Sequence, residues 1–266
     1  MKRPKVKNIL IISFLTVSFL FSGFLASGPK APEFKLKRII IDAGHGGKDP
    51  GTVGSMSKEK DIALKVALQV GQYIKENLPD VEVIYTRKTD TFIELKERAN
   101  IANRNKADLF ISIHCNAAPN RSAYGTETFV MGTKNFEANF DIVKRENSVI
   151  LLEDNFEEKY EGFDPSSPES YMMFNLMQKA FLSNSLSLAS KVEDDFSNRV
   201  NRFSRGVKQA PLYVLWTTSM PSVLIELGFL SNANEEKYLN TKDGQTYLSS
   251  AIYRSVKAYK EEIEAL

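Results

Sequence analysis

Cysteine is nearly missing from this 266-residue chain, and histidine and tryptophan are scarce, at two and one. The single cysteine, Cys115, excludes an intramolecular disulfide framework, so stability rests on the core, with or without a metal. Charge of one sign is not in excess either. Lys plus Arg number 35 against 33 for Asp plus Glu, which leaves no electrostatic footprint for nucleic acid phosphates and argues against a nucleic acid partner. No period of 20 to 50 residues repeats, which excludes solenoids and propellers. What is present is an ordinary globular composition, 42% hydrophobic, 11% aromatic and 26% charged, at a length that suits one domain carrying an insertion.

Long apolar runs are also few. The longest, Ile9 to Leu25, follows a cationic start at Lys2, Arg3, Lys5 and Lys7 and is succeeded by the small residues Ala26, Ser27 and Gly28. That order predicts a secretory signal peptide over residues 1–27, or an uncleaved anchor helix, and export in either case; a membrane contact is expected only if the helix is retained. No cysteine follows the run, so lipid attachment at a cleavage site is unavailable. Residues 28–36 read as a linker.

From Lys37 onward the pattern alternates. Arg38 to Asp42 is a β-branched apolar run feeding the glycine-rich Ala43-Gly-His-Gly-Gly. Ile62, Val66, Val70 and Ile74 recur every four positions and predict an amphipathic helix over Asp61 to Asn77. Val81 to Thr86 alternates as a strand, Ile93 to Asn105 reads as a charged helix and Leu109 to His114 as a buried strand. Strands alternating with helices predict a wound α/β sheet. The middle differs. Phe136 to Tyr160 is charge-rich, and residues of about 134–168 are expected to form an insertion ending in a loop. A long helix is expected from near Pro168, with Ser166 and Glu169 as its capping box and Met173, Met177, Phe181 and Leu188 on its core stripe. Gly206 closes that region, Leu212 to Leu215 and Val223 to Leu227 are further apolar runs, and Ala251 to Leu266 ends the chain as a helix.

Both histidines lie just past apolar runs: His45 in Asp-Ala-Gly-His-Gly-Gly and His114 in Ser-Ile-His-Cys-Asn. If those runs are neighbouring parallel strands, both imidazoles emerge at the carboxyl edge of the sheet, where such folds place ligands. Two imidazoles and a carboxylate make a catalytic zinc set with a position left for water. The expected third ligand is Glu59, at the end of the loop leaving His45; its alternative is a solvated carboxylate favoured by a helix N-terminus. For His45 the alternative is a loop histidine bonded to backbone. Cys115 alternates away from His114 and is expected to pack as a small hydrophobe.

Glu226 stands inside the apolar Val-Leu-Ile-Glu-Leu-Gly run, where an unpaired charge is costly. Either it forms a structural ion pair, or it faces a polar cleft and acts as a general base and acid beside a metal-bound water. Two motifs fail. The glycine pattern lacks the third glycine of a dinucleotide site, where Asp49 stands, and there is no His-Glu-x-x-His helix.

Six blocks carry a resemblance: Ile41-Asp-Ala-Gly-His-Gly-Gly-Lys-Asp-Pro-Gly, Glu59-Lys-Asp, Tyr85-Thr-Arg, Leu95 to Asn103, Ser112-Ile-His-Cys-Asn-Ala and Val223-Leu-Ile-Glu-Leu-Gly-Phe-Leu-Ser-Asn. From about Lys37 to the C-terminus the chain resembles the zinc-dependent N-acetylmuramoyl-L-alanine amidases of type 3, the AmiA/AmiB/AmiC-like enzymes. The resemblance implies a twisted, mainly parallel sheet flanked by helices, one Zn2+ per chain held by His45, Glu59 and His114, and a catalytic Glu226. It implies cleavage of the amide joining the lactyl group of N-acetylmuramic acid to the first L-alanine of the peptidoglycan stem peptide. Cys115 departs from the alanine common there.

Some relatives carry, at the place of the insertion, a helix that covers the zinc until an activator protein moves it. Arg145-Glu-Asn-Ser resembles the start of that segment, and the expectation is that an acidic side chain between Glu146 and Glu158 occupies the open metal position; the alternative is a solvated helix covering nothing. Competing functions are a catalytically inactive glycopeptide-binding or regulatory domain, and an exported zinc peptidase or deacetylase.

Overall fold

A computed structural model describes residues 34–171 and 181–265. Six strands form one sheet: β1 (Arg38–Ala43), β2 (Glu82–Tyr85), β3 (Leu109–Asn116), β4 (Thr126–Met131), β5 (Ser204–Ala210) and β6 (Ser222–Phe229). Their order is β2-β1-β3-β6-β4-β5. β1, β2, β3 and β6 pair in parallel, β4 runs antiparallel to β6, and β5 is parallel to β4. The sheet is therefore mixed and mainly parallel.

The helices are α1 (Glu59–Asn77), α2 (Leu95–Arg104), α3 (Phe140–Asn147), α4 (Phe156–Lys159), α5 (Leu182–Val200), α6 (Tyr213–Trp216), α7 (Ala233–Leu239) and α8 (Lys242–Glu264). They cover both faces. Because side chains alternate along a strand, Ile39 and Ile41, Ile111 and Ile113, and Val223 and Ile225 face one core, shared with Ile62, Val66, Val70 and Ile74 of α1 and with α5 and α8. Each of those α1 side chains is fully buried, contributing about 1.5–3 kcal/mol apiece. Ile40, Phe110, Phe129 and Leu224 face a second core against α2, α3 and α6.

Several sequence expectations need correcting. α1 starts at Glu59 rather than near Asp61. β4, β5 and α7 were not anticipated; Gly206, expected to close a region, lies inside β5 at φ +80°. The run from Leu212 folds as α6, and the last helix begins at Lys242, capped by Thr241. The long helix expected from Pro168 begins at Leu182 among the described residues, with Leu188 buried but Phe181 41% exposed. Its proposed capping box does not form: Ser166 bonds Asp164, and Glu169 accepts from Ser167. Met173, Met177 and residues 1–33 lie outside the described residues. No described helix is long and apolar enough to cross a membrane. Residues 137–159 carry two 3-10 turns, Glu137–Asn139 and Ser148–Leu152, besides α3 and α4.

Candidate active site

The polar residues sit on the same sheet face as the second core, toward the carboxyl ends of the parallel strands. Asp42, Ser112, His114, Asn116, Glu226 and Glu127 occupy positions whose alternation points that way, and His114, Glu226 and Glu127 are in register across β3, β6 and β4. All six are buried.

His45 leaves the end of β1 in the left-handed region, at φ +59°, a conformation a side chain adopts at a cost. It is held there from three sides. Arg98 of α2 donates through Nη1 to the Ala43 carbonyl and through Nη2 to the His45 carbonyl, both at 2.8 Å. Arg87 donates to the Ala43, Gly44 and Lys60 carbonyls. Asp49 Oδ2 lies 2.7 Å from His45 Nδ1, which fixes the ring and leaves Nε2 directed inward. Arg98 in turn pairs with Asp42 at 2.8 Å. Burial pushes the Asp42 carboxyl up, but Arg98, Ser112 and Thr86 bring it below its usual value.

Glu59, the first residue of α1, is fully buried and not the solvated carboxylate of the alternative reading. Its Oε2 accepts from Thr52 N at 2.8 Å and its Oε1 from Cys115 N at 2.9 Å. The same Oε1 lies 3.0 Å from both His45 Nε2 and His114 Nδ1. Glycines make the approach possible: a Cβ on Gly44 would stand 2.5 Å from the His114 ring, and one on Gly51 would stand 2.6 Å from both Glu59 Oε2 and the His45 ring. Cys115 is buried in the opposite core, as alternation predicts.

A fourth group joins from α3. Glu146 Oε2 lies 3.0 Å from His114 Nδ1 and 3.6 Å from His45 Nε2. One ligand atom from each of His45, Glu59, His114 and Glu146 falls within 4.8 Å of the others. Donor atoms about 2.0–2.1 Å from a tetrahedral zinc stand about 3.3 Å apart, and the contacts of 3.0 to 3.6 Å among these groups are close to that spacing. His45 Nε2 is buried facing the Glu59 and Glu146 carboxylates without a well-directed hydrogen bond to either, as suits an atom that meets a metal. The four residues therefore fit a divalent ion held by nitrogen and oxygen. Burial pulls both imidazoles down, but the neighbouring carboxylates raise His45 to about 9 and His114 well above its usual value. Burial pushes Glu146 up, but His114 and Arg145 bring it down to about 2.

Glu226 stands beside this cluster, fully buried, with neither carboxylate oxygen hydrogen-bonded. Burial and the neighbouring Glu146 push its carboxyl well up, opposed by Arg145, whose Nη2 is 3.5 Å from Oε1. With α3 in place, free space lined by His45, Asp49, His114 and Glu146 is about 10 Å3, room for about one water.

The sequence profile described as N-acetylmuramoyl-L-alanine amidase matches residues 39–258. The chain belongs to this amidase family. It is 34% identical over 238 residues to N-acetylmuramoyl-L-alanine amidase AmiA of Escherichia coli K12, a match covering 88% of this chain and 80% of AmiA. Among solved structures, an N-acetylmuramoyl-L-alanine amidase from Clostridium difficile 630 superposes with TM-score 0.65 at 27% identity, over 86% of this amidase and 98% of that chain. The CwlD amidase from Clostridioides difficile, solved with the GerS lipoprotein, gives TM-score 0.63 at 27% identity, over 85% and 99%.

All four residues singled out from sequence, His45, Glu59, His114 and Glu226, converge in this amidase. Sequence reasoning assigned no role to Asp49, because a spacing of four carries no signal off a helix and the contact with His45 depends on the Gly46–Asp49 turn. Arg87 and Arg98 lay inside blocks already recognised but carried no assigned task. Asn116 likewise lay inside a recognised block without an assigned task, and Glu127 had no sequence signal, because its proximity depends on the order of strands.

Proposed function

We propose that this amidase hydrolyses the amide between the lactyl group of N-acetylmuramic acid and the L-alanine of the peptidoglycan stem peptide, using one zinc ion held by His45, Glu59 and His114, with Glu226 as the catalytic carboxylate. One observation carries the reading: three buried donor atoms from separate elements, 3.0 Å apart by pairs around Glu59 Oε1, lie beside a buried carboxylate that has no hydrogen-bond partner. Zinc bound there supplies a Lewis acid that polarises the scissile carbonyl and lowers the pKa of a water toward neutrality. The protein does the rest. Asp49 orients His45, the backbone N–H groups of Thr52 and Cys115 orient Glu59, and the glycine-lined loop lets the imidazoles approach. Glu226, buried beside the cluster with neither oxygen hydrogen-bonded, accepts the proton of the attacking water and passes it to the departing nitrogen.

α3 bears on regulation. Glu146 would supply a fourth ligand to the metal, and Arg145 bonds Glu146 Oε1, Asn116 Oδ1 and the Ala117 carbonyl, contacts that support reading this conformation as a closed one. A protein partner that withdraws α3 opens the site; that CwlD was solved with a lipoprotein supports engagement of partners by such amidases. The substrate places the enzyme outside the cytoplasm, in the periplasm or cell envelope, consistent with the apolar leader, and its task is wall remodelling or daughter-cell separation. Nothing in the site favours an inactive binding domain, since Glu226 would serve no purpose there.

The test is digestion of purified sacculi by the zinc-loaded full chain, with fragments identified by mass. Stem peptides beginning with L-alanine are expected, abolished by chelator and reduced at least 10²-fold, about the general acid–base contribution, in Glu226→Gln. Glu146→Ala is expected to release them about tenfold faster than wild type. Fragments cut at any other bond contradict the substrate assignment, and an unchanged rate in Glu146→Ala contradicts the closure.

A further inference from the structure

Arg145 seats its guanidinium on two acceptors that belong to the catalytic domain rather than to its own segment. Nη2 donates to Asn116 Oδ1 and Nη1 to the Ala117 carbonyl, both at 2.9 Å. Nη2 is also the atom 3.5 Å from Glu226. A donor in that position is next to the carboxylate that must protonate the departing nitrogen, so the guanidinium stands where the amide nitrogens on the leaving side of the scissile bond would lie.

The orientation of Asn116 is itself imposed. Its side chain is buried at the end of β3, and its Nδ2 donates to Glu127 Oε1. An ionised carboxylate offers acceptors only, so this pairing compels the amide to present Nδ2 to Glu127 and leaves Oδ1 directed to the site. Glu127 is held in place by Arg205 and Lys208 of β5, which both reach its Oε2. Ala117 N donates to the same Oδ1 at 2.7 Å, which locks the orientation further.

Beyond these acceptors the surface continues as a groove of about 430 Å3, between Val53 and Gly54 on one side and Ala118, Pro119 and Leu230 on another, with Arg121 at its edge. That volume suits a short peptide. Its walls combine small apolar residues with the hydroxyls of Thr52, Ser55 and Ser231, its one carboxylate, Glu236, is taken up by Ser55, Met56 and Ser57, and Arg121 offers a cation; among the described residues no aromatic side chain lines it, which suits a short peptide better than a sugar.

Resting on the function proposed above, we propose that Asn116 Oδ1 and the Ala117 carbonyl bind successive amide N–H groups of the stem peptide on the leaving side of the scissile bond, and that Glu127 is the positioning residue that turns Asn116 toward them. Arg145 then closes the enzyme by imitating substrate donors as well as by delivering Glu146.

The experiment compares two probes, N-acetylmuramoyl-L-alanine and an N-acetylmuramoyl tripeptide, in zinc-loaded full-length chain carrying Glu146→Ala, and measures binding of the free tripeptide by calorimetry. Adding Asn116→Ala is expected to lower kcat/KM on the tripeptide about tenfold, mainly through KM, to change the single-alanine probe less than twofold, and to weaken tripeptide binding about tenfold. Adding Glu127→Gln, whose amide no longer dictates which way Asn116 faces, is expected to act in the same direction by about threefold with the melting temperature retained. Equal losses on both probes, or no loss on either, overturn the proposal, as does failure of the Glu146→Ala chain to bind the tripeptide. Tripeptide binding that depends on Asn116 in a chain cleaving neither probe supports the subsite and overturns the hydrolytic reading instead.

Discussion

Around His45 and His114, placement depends on what the neighbouring residues lack. Gly44 has no Cβ to strike the His114 ring, and Gly51 none to strike Glu59 and His45. A methyl group at Gly44 must displace the His114 imidazole, because its nearest atoms would be 2.5 Å away. Gly44→Ala is therefore expected to weaken zinc binding 10- to 100-fold without loss of secondary structure, and Asp49→Ala to do the same by releasing the His45 ring. Competition with a chromophoric chelator measures both, and affinities equal to wild type would refute this account of how the rings are held.

At the scale of elements, α7 reaches across to the loop that precedes α1. Glu236 accepts from the backbone N–H groups of Ser55, Met56 and Ser57 and from the hydroxyls of Ser55 and Ser57. Burial pushes this carboxyl up, but the hydroxyl and backbone donors hold it at about 2, below its ordinary 4.5. A carboxyl lowered by folding contributes stability above the unfolded-state pKa, and that contribution is lost as pH falls through the folded value. The window is thus pH 4.5 to about 2, and the contribution is on the order of 1–3 kcal/mol. Glu236→Gln is expected to be less stable than wild type at pH 7, with the difference shrinking toward pH 2, as read from urea unfolding at several pH values. A difference independent of pH would contradict the clamp. The same loop carries Thr52, whose N–H orients Glu59, so the clamp also bears on the site.

For the molecule as a whole, the candidate metal joins elements far apart in sequence: the loop after β1, the start of α1, β3 and α3. An ion that binds only this folded arrangement raises stability by mass action, about 4 kcal/mol at a free concentration a thousand times the dissociation constant. At this chain length that is a rise of about 8–16 °C in melting temperature. Calorimetry with and without zinc is expected to show the rise in wild type and its loss in His45→Ala; equal shifts in both would place the ion elsewhere.

Much of this was legible in the sequence because the signals were local. Two histidines in the entire chain, each just past an apolar run, narrowed the candidate ligands at once, and a carboxylate amid Val-Leu-Ile and Leu-Gly-Phe could not be an idle surface charge. The four-residue spacing of Ile62, Val66, Val70 and Ile74 specified α1 because a helix buries one stripe. β4 and β5 escaped notice because Glu127 and Lys208 interrupt them with charges whose partners lie on other strands, so their polarity reads as loop until pairing is known.

The sequence by itself determined the wound α/β pattern, the family, and the residues able to supply nitrogen and oxygen to a metal, since periodicity and side-chain chemistry are properties of short segments. Only the tertiary structure decided that Glu146 among the acidic residues of 146–158 meets the histidines, that Arg145 rests on Asn116, and that Glu127 lies in register with Glu226. Those contacts depend on strand order and on where α3 packs, and interactions at such separations in the chain leave no local pattern to read.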